Sequence, residues 1–133
     1  MTHTHRFKAA VEGAGLTDLL SFDGSAEIAP SFLEFYFPGS PFDRRAVCAR
    51  HSPIYFLPYC KTPTLMIHGL ADTVVPVSQS WEFYRGLRML GVHSELVLYP
   101  REWHAFSEPV HQLDVFTRML AWYNRYLKKP LDR

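Results

Sequence analysis

A chain of 133 residues with 47% hydrophobic and 20% charged side chains has the apolar content of a packed globular protein, far from the composition of a disordered segment. Its 14 basic and 13 acidic side chains leave a formal charge of +1, which excludes a nucleic-acid binder held mainly by phosphate charge. The length fits one domain, 1–133, able to bury about two thirds of the surface its unfolded form exposes.

In chain order, "MTHTHRFKAA" comes first. It lacks the apolar core of a secretory signal, and its two histidines at a terminus expected to fray are weak metal ligands. "FKAAVEGAG" follows as a short apolar run that closes on small residues, and it reads as a buried strand or a helix end. "LTDLLSFDGSAEIAPSFLEFYFPGSPFDRRAVCARHSPIYFLPYCK" is rich in aromatics and cut by glycine and proline. It reads as short helices and turns, with a firm break at Pro38–Pro41. Its aromatic cluster either shapes a pocket or packs the core and loops. Cys48 and Cys60 make neither a disulfide framework nor a zinc signature, and are read as reduced, partly buried thiols.

After Pro63, "TLMIHG" is an apolar run stopped by Gly69, the pattern of a parallel strand covered on both faces. "VSQSWEFYRGLRMLG" changes period: Phe83, Leu87 and Leu90 share a helical face, Ser78 is the expected cap, and Gly91 suits a left-handed stop. Gly86 weakens this helix by up to about 1 kcal/mol relative to alanine, so packing must make up the difference. "SELVLYP" alternates as a strand, with Leu96 and Leu98 on one face and Val97 and Tyr99 on the other. "PVHQLDVFTRMLAWYNRYLKK" is a helix expected to pack through Leu113, Phe116, Leu120, Tyr123 and Leu127, with lysines complementing its C terminus. The alternation of strand and helix implies an α/β fold with parallel strands joined by crossovers. No apolar run approaches the roughly 18 residues of a membrane span, so a soluble, cytoplasmic chain without a membrane partner is expected.

Reactive groups of open parallel sheets gather beyond the carboxyl ends of the strands. Asp72 follows "TLMIHG" and His104 follows "ELVLYP", so both belong to one rim. A carboxylate that holds one imidazole nitrogen leaves the other free to take a proton from a hydroxyl or thiol, near the pH where histidine titrates. The blander readings are an Asx turn for Asp72 and a hydrogen-bonded surface histidine for His104. His68 ends an apolar strand and reads as a core histidine bonded to backbone. His68, Asp72 and His104 match no zinc spacing, and neither a metal nor a cofactor is expected. Trp103 either lines a cleft or packs against the loops.

The run "SPIYFLPYCKTPTLMIHGLADTVVPVSQSWEFYRGLRMLGVHSELVLYPREWHAF" resembles the C-terminal part of the catalytic domain of prolyl oligopeptidase family serine peptidases, especially acylaminoacyl-peptidase and dipeptidyl-peptidase-like members. "HGLADTVVPVSQS" is similar to the family segment with the catalytic aspartate, and "YPREWHAF" to the one with the catalytic histidine. The resemblance runs from "HRFKAAVEGAG" to "RYLKK" and implies those roles for Asp72 and His104. It also implies the C-terminal portion of an α/β-hydrolase fold, with three parallel strands, flanking helices and the nucleophile-bearing half absent. The family's serine lies earlier, in a G-x-S-x-G-G motif at a strand-to-helix turn. No G-x-S-x-G occurs here, and by the resemblance Met1 and Thr2 would directly follow it. None of the chain's own serines sits on a glycine-framed turn.

The resemblance therefore implies a C-terminal fragment of a peptidase acting on short peptides, nearly inactive alone. Expected partners are a peptide substrate in the intact enzyme and, through an exposed sheet edge, a second copy or a complementary N-terminal fragment. The alternatives are a truncated, non-catalytic interaction module, and part of a carboxylesterase or thioesterase.

Overall fold

The structure is a computed structural model that describes residues 1–39 and 42–128. Three strands, β1 (Ala10–Gly13), β2 (Thr64–Gly69) and β3 (Ser94–Tyr99), form a wholly parallel sheet in the order β1-β2-β3. The ambiguous "FKAAVEGAG" is thus a strand, in register with β2 through Ala10 opposite Thr64, while Thr64 also faces Ser94 of β3.

Every residue of β2 is buried, because the central strand is covered on both faces. Met66 points into a cluster with Leu57, Cys60, Phe83 and Leu87, whereas Leu65 and Ile67 point the opposite way, towards Tyr99 and Trp122. The period-two alternation of a strand produces this split. It also sorts β3 as expected, with Leu96 on the first side and Val97 and Tyr99 on the second.

The segment between β1 and β2 folds into α1 (Leu19–Asp23), α2 (Ala29–Tyr36), α3 (Arg45–His51) and a 3-10 segment, Pro53–Tyr59. Of the expected break at Pro38–Pro41, Pro38 and Gly39 follow α2, while residues 40–41 lie outside the described residues. Phe22, Ala29, Leu33 and Cys48 form the core of this cap with Val75. The aromatic cluster divides: Phe22 and Phe32 pack edge to face, but Phe35 and Phe42 are exposed. Both cysteines are free and fully buried rather than partly so. The N terminus is pinned where fraying was expected. Met1 packs against the Met66 cluster and Thr2 is buried.

Helix α4 (Ser78–Met89) stops at Gly91, whose φ of +73° is the expected left-handed position. Two expectations for α4 fail. Ser78 is the first helical residue and makes no capping bond, because Val77 is already helical (φ −57°, ψ −20°) and holds the cap position. Leu90 ends the helix half exposed, leaving Phe83 and Leu87 to bury that face. Gly86 repays its weak helix propensity by close packing, since a Cβ there would overlap the Leu57 side chain.

Helix α5 (Pro109–Leu127) is turned the other way from the sequence expectation. Leu113, Phe116, Leu120 and Leu127 are exposed, and Val115, Met119, Trp122 and Tyr126 meet the sheet instead. Both sets have helical spacing, so periodicity alone does not choose between them. Polar anchors do: His111 Nδ1 donates to Glu102 Oε1 (2.8 Å), and the Tyr99 hydroxyl donates to Asp114 Oδ2 (2.7 Å). These two bonds fix the first turns of α5 with the 111–114–115 side inward, and the Trp122 face follows three to four residues per turn later. Lys128 stands at the cap position, while Lys129 lies outside the described residues.

Candidate active site

The carboxyl ends of β2 and β3 are adjacent in the sheet, so the loops that leave them start side by side. Leu70 N–H donates to the Tyr99 carbonyl and Ala71 N–H to the Glu102 carbonyl, each at 2.9 Å, which ties the two loops together. Gly69 makes this approach possible. A Cβ at that position would overlap the carbonyl oxygens of Glu102 and Trp103.

Asp72 is buried, and its two oxygens have different work. Oδ1 accepts the Val75 N–H at 2.9 Å and closes a local turn, while Oδ2 lies 2.9 Å from His104 Nδ1. The turn reading and the histidine-holding reading of Asp72 therefore both describe the same side chain. A carboxylate accepts, so His104 Nδ1 carries a proton, and in the neutral imidazole the lone pair is then on Nε2. The His104 side chain is 46% exposed against 0% for Asp72. Among the described residues, Asp72 is the only hydrogen-bond partner of His104. The imidazole borders a cavity of about 220 Å³ lined also by Gly13, Ala14, Ile67, Phe106 and Val115, at the end of β1.

The His104 loop is stiffened from below by Glu102, a fully buried carboxylate. Its oxygens accept the backbone N–H groups of Ser107 (2.7 Å) and Glu108 (2.9 Å) besides His111 Nδ1. Burial alone pushes Glu102 upward, but these donors outweigh it and hold the carboxyl below its ordinary range. Arg101, in the left-handed region at φ +64°, forks onto Glu108 through two bonds of 2.8 Å. Trp103 Nε1 donates to Thr73 Oγ1 at 3.1 Å and the ring remains half exposed, so it both braces the Asp72 loop and edges the open rim.

His68 is a core histidine, as expected. Its Nε2 lies 2.8 Å from the Val75 carbonyl, which can only accept, so that nitrogen presents a proton rather than a lone pair to Asp72 and is not available to a metal. The donor atoms of Glu102, Glu108 and His111 gather within 4.8 Å of one another, but each is engaged in the bonds just described. Glu102 had no signal in the sequence: a single carboxylate in the mixed loop "PREWHAF" shows neither periodicity nor a motif partner. A roomier cavity of about 410 Å³, lined by Leu20, Asp23, Gly24, Phe42 and Arg45, touches neither Asp72 nor His104.

Compared with known families, residues 1–130 match the prolyl oligopeptidase family. The chain belongs to that family. Among curated relatives of this family, acylamino-acid-releasing enzyme of Rattus norvegicus is 40% identical over 76 residues, covering 57% of this chain and 10% of the relative. Dipeptidyl-peptidase 5 of Porphyromonas gingivalis is 31% identical over 136 residues, covering 96% of this chain and 19% of the relative. In three dimensions the chain superposes on Pyrococcus horikoshii acylaminoacyl peptidase with a TM-score of 0.90 over 99% of its length, at 24% identity and 22% of that chain. A puromycin-hydrolyzing peptidase of Mycobacterium tuberculosis gives 0.85 over 95% at 27% identity, covering 19% of that chain. The fold is therefore that of the α/β hydrolases, and this prolyl oligopeptidase family chain spans about a tenth to a fifth of the length of these relatives. Among the described residues, no helix is long and apolar enough to cross a membrane.

Proposed function

We propose that this chain supplies the acid and the base of a serine peptidase acting on short peptides, and that the attacking hydroxyl comes from outside its 133 residues. In this reading His104 Nε2 takes the proton of a serine as it attacks a peptide carbonyl, then passes it to the departing amine. Asp72 holds the Nδ1 proton and offsets the charge of the imidazolium, and water afterwards releases the acyl group. The observation that carries the reading is the 2.9 Å bond between a fully buried carboxylate and a half-exposed imidazole that borders a cavity. The names of the acylaminoacyl- and dipeptidyl-peptidase relatives support peptides over simple esters as substrates. Free Cys48 and Cys60 suit a cytoplasmic setting.

The test is a chimera in which this chain replaces the matching C-terminal segment of the Bacillus subtilis peptidase YuxL, to which it is 27% identical over 127 residues. The chimera should hydrolyse short peptide anilides and take up a serine-directed fluorophosphonate, and the 133-residue chain alone should do neither. Asp72→Asn in the chimera should lower kcat about 10⁴-fold with the fold intact. A folded chimera that is active with His104→Ala would overturn the assignment.

A second reading is favoured by surface features. β1 pairs only with β2, so its other edge is free among the described residues, and α5 exposes Leu113, Phe116 and Leu120 on one side. Such an edge invites another strand, from a second copy or from a complementary N-terminal fragment. In that case the chain is an interaction module with or without chemistry.

A further inference from the structure

Beneath Asp72 lie three polar side chains that the proposed chemistry does not touch, two of them fully buried and the third, Glu12, partly so. His68, on β2, is fully buried and lies 3.3 Å from Asp72 Oδ2 through Nε2, the nitrogen that also meets the Val75 carbonyl. Its Nδ1 is 2.7 Å from Oγ of Ser80, a fully buried residue of α4. Ser80 Oγ is in turn 3.2 Å from Oε2 of Glu12, on β1. Glu12 Oε1 accepts the Gly15 N–H, and the Glu12 side chain lies against Gly15, where a Cβ would come within 2.5 Å of that oxygen.

Counting protons along this line narrows its state. His68 Nε2 carries one, because it faces a carbonyl on one side and a carboxylate on the other. The Ser80 hydroxyl has a single hydrogen and two partners, His68 Nδ1 and Glu12 Oε2. If both contacts are hydrogen bonds, one further proton is held in the line. It sits either on Glu12, with Ser80 donating to a neutral His68, or on His68 Nδ1, with Ser80 donating to a Glu12 carboxylate. The two arrangements differ in consequence, because an imidazolium 3.3 Å from Asp72 would draw on the carboxylate's charge that His104 also uses.

We propose that Glu12, Ser80 and His68 form a one-proton array that positions Asp72, with the proton on Glu12, Ser80 donating to His68 Nδ1, and His68 Nε2–H holding the Val75 carbonyl beside the Asp72 side chain. The array makes His68 and Ser80 positioning residues and leaves the Asp72 charge to His104. Burial pushes the Glu12 carboxyl upward more strongly than Gly15, His68 and Ser80 lower it, which favours the protonated acid. Val75 is gripped at both ends of its peptide plane: its N–H by Asp72 Oδ1 and its carbonyl by His68. Removing the proton from Nε2 would set a lone pair against two acceptors and open that turn. The functional meaning of the array rests on the Asp72 and His104 assignment above, but its proton arrangement does not.

The experiment reads histidine side-chain nitrogens by long-range proton–nitrogen NMR in the 133-residue chain, without substrate. Wild type should show His68 as the neutral Nε2–H tautomer. Glu12→Gln should leave those signals in place, because the amide donates to Ser80 Oγ as the carboxyl does. Ser80→Ala should leave the Nε2–H tautomer, which Val75 and Asp72 hold, but shift the His68 Nδ1 resonance and broaden the downfield Nδ1–H signal of His104, and Ser80→Thr should restore both. A doubly protonated His68 in wild type, or loss of its extra proton in Glu12→Gln, would overturn the arrangement. If Ser80→Ala lowers the unfolding midpoint while the His104 signal stays sharp, Ser80 is packing and not positioning. None of these readouts involves peptide hydrolysis, so an inactive chimera and a failed array are separate results.

Discussion

Replacing Gly69 by alanine should damage the site more than the single hydrogen bond of His104 suggests. A Cβ built on Gly69 falls 2.5 Å from the Trp103 carbonyl oxygen and 2.7 Å from the Glu102 carbonyl carbon, and it overlaps the Glu102 carbonyl oxygen. Ordinary contacts of this kind lie near 3.5 Å, so the backbone of residues 102–103 must recede by about 1 Å. Both partners are backbone on tied loops, and no flexible side chain can absorb the shift. Overpacking of this sort costs about 1–3 kcal/mol. The 2.9 Å bond from Ala71 N–H to the Glu102 carbonyl stretches in the same movement, adding about 1 kcal/mol. The sum, about 2–4 kcal/mol, is a large share of a domain's stability, typically about 5–15 kcal/mol. A lower urea midpoint with an unchanged slope is the expected result. His104 follows Trp103, so its Nδ1–H signal should also broaden, and in the chimera a misplacement of about 1 Å should cost about 10²-fold in rate. Gly24→Ala is the control: its φ is −94°, a Cβ there meets nothing within 4 Å, and the change should stay within about 0.5 kcal/mol. If Gly69→Ala matches that control in midpoint and in the His104 signal, the contact between the two loops does not position the histidine.

Acid should act through Glu102. Because its folded value is held below the ordinary carboxylate value of about 4.3, its stabilising share is present above that value and is lost as pH falls through the lower, folded one. Glu102→Gln should therefore lower stability at neutral pH and flatten the acid limb of a midpoint-against-pH curve; an acid limb as steep as wild type would refute this. On the outer face of α5, Leu113→Ser, Phe116→Ser and Leu120→Ser together should leave the midpoint within about 1 kcal/mol, since those side chains are exposed in the single chain. If that face is covered by a second copy, light scattering should show a dimer for wild type and a monomer for the triple variant. A wild-type monomer at every concentration would remove the second copy as the partner.

What the sequence makes legible is what depends on local period and chain order. "TLMIHG" is legible as a doubly covered strand because Leu65 and Ile67 make one face apolar and Met66 the middle of the other, and β2 is indeed the central strand, with Thr64 and His68 buried through hydrogen bonds. Asp72 and His104 fall together because each follows the carboxyl end of a parallel strand and the two strands are neighbours. The outward face of α5 was not legible, because two apolar stripes of equal spacing compete. The choice was made by Glu102 and Asp114, whose partners are set by folding. The same holds for Gln79, buried in α4, whose Oε1 accepts the N–H groups of Thr17 and Asp18 some sixty positions away. No spacing rule connects them.

The behaviour of Asp72 shows why turn and site were not true alternatives. An exposed Asx turn leaves one carboxylate oxygen to water, and nothing then fixes its direction. Here Val75 N–H occupies Oδ1, the carboxylate is fully buried, and the only freedom left to Oδ2 points at His104 on one side and His68 on the other. Closing the turn is thus the step that aims the second oxygen. A side chain that merely closed a loop would not need to be dry, and one that merely held a histidine would not need Val75. The two demands meet in a carboxylate at this position, with glycine at 69 to let the histidine loop come down onto it.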